Sequence, residues 1–187
     1  MSHHFLLFDN IHYSYTPERE VLRGLTLRLD HGEKVALVGA NGAGKSTLML
    51  HANGLLTPSS GRVAIGDMVI SPKTLPIIRQ SVGMVFQNPD DQLFMPTVEE
   101  DVGFGPANMH LSREEIAARV ERALQAVSAL DLRHRSPQQL SGGEKHRVAI
   151  ATVLAMEPYV CYTLTRDIVC LIVYYASVCH RGARHER

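Results

Sequence analysis

A chain of 187 residues with 19 basic and 19 acidic side chains, 45% hydrophobic and 20% charged, has the balance of one compact globular domain. Zero formal charge leaves no long-range field to gather nucleic acid or anionic lipid. No stretch reaches the ~20 consecutive apolar residues that span a bilayer, the longest run being Ile168 to Val178. The opening Met1-Ser2-His3-His4 lacks the basic start and apolar stretch of a secretory signal, which predicts a cytosolic compartment, and its histidines are too few for a metal-binding tract.

Phe5 to Phe8 and Leu25 to Leu29 read as strands of an antiparallel pair around a polar turn containing Pro17. Lys34 to Val38 is a short, apolar, β-branched run of the kind a buried parallel strand needs, and it leads directly into glycines. Lys45 to Gly54 suits a helix stopped by its glycine. Arg62 to Ile65 and Val82 to Phe86 are further strand candidates, separated by a stretch marked by Pro72 and Pro76. Ser112-x-x-Glu115 fits a capping box, with Ile116, Val120, Leu124, Val127 and Leu130 following at helical spacing. Another helix starts after Ser141 and runs to about Met156, ended by Pro158. The first half is thus strand-rich around a glycine loop, and a helical insert follows from about residue 88.

Composition changes at Pro158. All three cysteines (Cys161, Cys170, Cys179) and four of the six tyrosines lie beyond it, while every lysine and phenylalanine precedes it. An odd number of cysteines builds no disulfide framework. Even with His180 nearby, their spacing lacks the paired Cys-x-x-Cys unit of a zinc site, so they read as packed or solvated thiols.

The strongest chemical signal is Gly39-Ala40-Asn41-Gly42-Ala43-Gly44-Lys45-Ser46-Thr47, a complete phosphate-loop pattern between a strand and a helix. Glycines permit the dihedrals that turn successive N–H groups toward one anion, and the helix adds its positive end. Lys45 is placed to reach the β and γ phosphates of a nucleoside triphosphate, and the Ser46 hydroxyl to bind Mg²⁺. About a hundred residues on, Leu140-Ser141-Gly142-Gly143-Glu144 offers a hydroxyl and exposed N–H groups at a helix start, a second anion site. Alone it reads as a helix cap, but paired with the phosphate loop it carries more.

With both motifs present, the sequence resembles the ATP-binding subunits of ABC transporters. The resemblance implies an α/β P-loop NTPase core, a mixed sheet with flanking helices, plus an ABC-type helical subdomain. It also implies two such domains packed head to tail, with Mg-ATP between the phosphate loop of one and Ser141, Gly142 and Gly143 of the other. Tyr15 then looks like the aromatic residue that stacks on adenine, and Gln87 like the glutamine that meets Mg²⁺ and reports to membrane subunits. Phe86-Gln87-Asn88-Pro89-Asp90-Asp91-Gln92-Leu93-Phe94, Thr97 to Pro106 and Glu144, where many relatives have glutamine, resemble the cobalt or nickel uptake and energy-coupling-factor group. That implies an importer subunit held peripherally at the cytoplasmic face of the membrane, partnered by a second ATP-binding subunit and transmembrane subunits, with no nucleic acid. A DNA-repair ATPase of related fold fits less well, because no sustained heptads separate the two motifs.

The resemblance covers residues 5 to 158, and the ABC domain is assigned to 1–158, with the helical subdomain and signature helix at 88–156. Beyond it the family has an apolar strand followed by Asp-Glu, which supports Mg²⁺ and the attacking water. Here register puts Leu164 and Thr165 at those positions, and Asp167 comes too late. Neither side chain replaces a carboxylate, so a nucleotide-binding, hydrolysis-dead module is the alternative to an active ATPase. Residues 159–187 read as an aberrant or out-of-frame tail that leaves the chain incomplete. Either Tyr159 to Leu164 and Ile168 to Tyr175 supply the missing central strand, or the latter is an exposed aggregation-prone window and 167–187 are dispensable for ATP affinity.

Overall fold

The computed structural model describes residues 5–164 and 168–173. Two four-stranded sheets are formed among these residues. The first is antiparallel and built on a long hairpin, β1 (Phe5–Thr16) and β2 (Arg19–Asp30), turning at Pro17 and Glu18. β4 (Ser60–Ile65) pairs with the other edge of β1, and the short β5 (Met68–Val69) completes the order β2-β1-β4-β5.

The second sheet has the order β3-β8-β7-β6, with β3 at Lys34–Val38, β6 at Val82–Val85, β7 at Val160–Leu164 and β8 at Ile168–Val173. β6 and β7 are parallel, whereas β8 runs antiparallel to both β7 and β3. Two reversals cancel, so β3, β6 and β7 point the same way and their carboxyl ends share one edge, where α/β sheets hold ligands. Period-two alternation divides β7 between two cores. Val160 and Tyr162 join Leu6, Phe8, Met49 and Ile78 between the sheets and α1 (Lys45–Ala52), while Cys161 faces the helical cluster on the other side.

The described residues after Pro158 are therefore woven into the fold. β8 is the return arm of a β7–β8 hairpin, so it must oppose β7, and it fills the central position beside β3 with Val169 and Leu171 buried. The described part of the Ile168 to Tyr175 window is a central strand, and the expectation that 167–187 are dispensable gives way to the opposite one. Thr165, Asp167, Tyr174, Tyr175, Cys179 and His180 lie outside the described residues. The expected buried parallel environment of Lys34 to Val38 is also changed. β3 pairs antiparallel with β8, Val35 and Leu37 pack on the core, and Val38 is 74% exposed.

Helices α2 (Leu75–Ser81), α3 (Val98–Asn108), α4 (Arg113–Ala126) and α5 (Gly142–Leu154) complete the chain, the last three around Val98, Val102, Val120, Leu124 and Val148. α2 occupies the stretch read as a proline break, because Pro76 sits in its first turn where no N–H partner is needed. The capping box at Ser112 is half formed. Its hydroxyl accepts from Glu115 N, but the Glu115 carboxylate turns to Arg119 at 3.0 Å. α4 ends at Ala126 and Ser128 is left-handed (φ 53°), so Leu130 falls outside the helical stripe and is exposed.

Candidate functional site

β3 delivers the chain into residues 39–44, and α1 begins at Lys45. Gly42 and Gly44 take left-handed backbone at φ 82° and 89°. Gly44 is required twice over, since a Cβ there would also meet Val21 Cγ1 at 3.0 Å, so the loop lies directly against β2. Ala43 N–H donates to Ala40 O at 3.1 Å, closing the turn.

Among the described residues, four helices have eight or more residues, and α1 alone among them starts with no side-chain cap. No acidic residue lies in its first turn. α3, α4 and α5 are capped by Thr97, Ser112 and Ser141. The N-terminal N–H groups of α1 and its positive dipole end are therefore left to an outside anion.

Residues 41–47 form one wall of a cavity of about 170 Å³; Tyr15, Arg19 and Val21 from the hairpin form the other. Tyr15 is 53% exposed, stands edge-on to Tyr13 at 5.1 Å, and its hydroxyl lies 3.1 Å from Thr47 Oγ1. Lys45 Nζ donates to Gly39 O at 2.6 Å and Ala40 O at 3.1 Å, so the ammonium is folded over its own loop. Ser46 is exposed. Tyr15, Asn41, Gly42, Gly44, Lys45, Ser46 and Thr47 are thus brought together, with Gly39 holding the lysine.

Arg19 and Val21 were not singled out by the sequence reading. The signal was the two-residue turn at Pro17-Glu18, which puts Arg19 opposite Thr16 and hence beside Tyr15.

Gln87 does not line this cavity. It is exposed just past the carboxyl end of β6, on the same sheet edge as the phosphate loop. Its segment is fastened to α5: Gln92 accepts from Phe86 N–H and donates to Ala149 O and Thr152 Oγ1, and Lys145 donates to Asp90 at 2.6 Å. Ser141, Gly142 and Gly143 are likewise elsewhere, exposed at the start of α5, with open space above both glycines. The Ser141 hydroxyl is engaged. It donates to Glu144 Oε2 at 2.7 Å, as does Ser141 N–H at 2.8 Å, and these bonds hold the Glu144 carboxyl below its ordinary range.

The donors around α1 fit a triphosphate: an uncapped helix start, two left-handed glycines and one lysine. For Mg²⁺ the chain offers the Ser46 hydroxyl, while the side chain of Leu164, which ends β7, has no lone pair to give. No cluster of three or more His, Cys, Asp or Glu able to hold a metal exists among the described residues.

Residues 22–162 match the family model described as ABC transporter. An ABC transporter ATP-binding protein of Geobacter sulfurreducens is 56% identical over 158 residues, 84% of this chain and 64% of that protein. The energy-coupling factor transporter ATP-binding protein EcfA of Methanothermobacter thermautotrophicus is 53% identical over 151 residues, 80% of this chain and 49% of that protein. Among solved structures, CbiO1 of Clostridium perfringens, part of the ABC transporter complex CbiONQ, superposes with a TM-score of 0.78 at 40% identity, over 86% of this chain and 65% of that one. The chain spans about half to two thirds of the length of these relatives.

Proposed function

This chain belongs to the ABC transporter family, and from that membership we propose that it is the ATP-binding subunit of an importer of the energy-coupling-factor or cobalt and nickel type. The observation that carries the reading is the uncapped start of α1 facing Tyr15 across one cavity. Bound Mg-ATP would supply the reactive phosphoanhydride. On binding, Lys45 exchanges the carbonyls of Gly39 and Ala40 for phosphate oxygens, the first-turn N–H groups of α1 take the remaining charge, Ser46 serves the metal and Tyr15 stacks on the base.

Ser141, Gly142 and Gly143 of a second ATP-binding subunit close the site. Exposed Phe86, Phe94 and Phe104 beside the Gln87 segment support a transmembrane partner there, with the chain peripheral at the cytoplasmic face. Relatives named as EcfA and the CbiO1 structure support the importer type.

A second reading, binding without turnover, is favoured by Leu164 at the end of β7. Nucleotide titration beside steady-state phosphate release separates the two. The double substitution L164D/T165E is expected to raise release by ~10²-fold or more if the missing carboxylates are the defect. Failure to bind Mg-ATP at millimolar concentration by the folded chain defeats both readings. The family match runs four residues past Pro158 and ends at residue 162, which supports reading the residues beyond it as foreign to the family pattern. The neighbouring coding frames past codon 158 test that, and finding no apolar strand with Asp-Glu in them rejects it.

A further inference from the structure

Two cationic side chains, Lys45 and Arg19, line the cavity between the hairpin and the phosphate loop, and no acidic one among the described residues does. Lys45 is folded on the carbonyls of Gly39 and Ala40. Arg19 is exposed, and its guanidinium makes no hydrogen bond or ion pair among the described residues. The adjacent Glu20 is turned away from it, to His12 at 2.9 Å and Arg23 at 3.9 Å. The cavity thus has one uncommitted positive charge, on the wall that faces the uncapped start of α1.

The tip of the hairpin is shaped around that wall. Tyr13 opposes Leu22 and Ser14 opposes Glu20, which leaves Val21 as an extra residue on β2; Thr16 then opposes Arg19, which leaves Tyr15 as an extra residue on β1. Such irregularities re-aim the unpaired side chains, and both Tyr15 and Val21 line the cavity. Val21 lies against Gly44, the residue that precedes α1. Arg19 stands in the ladder between these two, next to Tyr15 by way of Thr16 and two residues from Val21.

We propose that Arg19 binds the phosphate chain of the nucleotide from the hairpin side of the cavity, an addition that rests on the nucleotide-site reading given above. Lys45 and a helix end worth about half an elementary charge leave much of a triphosphate's negative charge unanswered. A guanidinium is always charged, only donates, and presents a planar fork that matches two phosphate oxygens. A base offers it no charge to pair with, and the face of Tyr15 already serves the base.

Calorimetric titration of the full-length chain with the Mg²⁺ complexes of ATP and of inorganic tripolyphosphate, which keeps the phosphates and lacks the base, tests this. Arg19→Ala is expected to weaken both ligands by about tenfold or more, and Arg19→Lys, which keeps the charge without the fork, to recover part of the loss. In the unsubstituted protein, tripolyphosphate should shift the Nε–H resonance of Arg19, a readout independent of how the variants fold. Unchanged tripolyphosphate affinity in Arg19→Ala, a loss confined to ATP, which would put the guanidinium on the base, or an unmoved Arg19 resonance each overturns the proposal and leaves the nucleotide site standing. Binding of neither ligand by the folded, unsubstituted chain overturns the site reading and the proposal together.

Discussion

The hydroxyl of Tyr162, on β7, donates to the main-chain carbonyl of Met49, on α1, at 3.1 Å. Tyr162 is fully buried, and Met49 O is among the last four carbonyls of a helix that has no further turn to receive them. A strand beyond the composition break at Pro158 thus anchors the helix that carries the phosphate loop. Burial pushes the phenol pKa well above its usual value, which keeps it protonated and donating. Tyr162→Phe should cost about 1 kcal/mol of stability, read as a shift in urea midpoint without a change in slope.

β8 stands between β3 and β7, so its contribution should be large. Leu171→Ala is expected to lose about 2–5 kcal/mol, and a chain ending at residue 166 should lose its cooperative thermal transition and with it nucleotide affinity. Retention of full Mg-ATP affinity by the shortened chain would show that β3 and its loop hold their shape without β8.

At the phosphate loop, Lys45→Ala removes a charge-assisted donor and should weaken nucleotide binding by roughly ten- to a hundredfold in a calorimetric titration. Gly44→Ala should do at least as much by another route. It strains a residue at φ 89° and pushes the loop off Val21, so the loss of affinity should come with a loss of stability that Lys45→Ala does not show.

Two carboxyls give opposite dependences on pH. Asp101 is 3% exposed; it accepts from Phe94 and Met95 N–H, yet burial raises its pKa and Oδ2 has no partner among the described residues. Its stabilising contribution is full in acid and is lost as pH rises through the raised folded value, so Asp101→Asn should gain about 1 kcal/mol near neutrality. Glu144 is the reverse. Its lowered pKa makes the Ser141 cap a contribution present above the unfolded value and lost as pH falls through the folded one. Glu144→Gln should remove that acid-side dependence in a pH series of thermal midpoints.

Local chemistry was enough to locate the phosphate loop with Lys45, the antiparallel hairpin and the capped start of α5, because glycine dihedrals, caps and strand alternation act over a few residues, whereas Tyr15 was marked only by the family resemblance. It also marked Leu164 as the residue closing a strand where a carboxylate was expected. Which strand lies beside which is a long-range matter. The direction and central place of β8, the exposure of Val38 and the arrival of Arg19 in the cavity follow from register and packing between segments distant in sequence. Burial and partner choice there are settled only when the two sheets close on α1, since no window of the chain holds both members of such a contact.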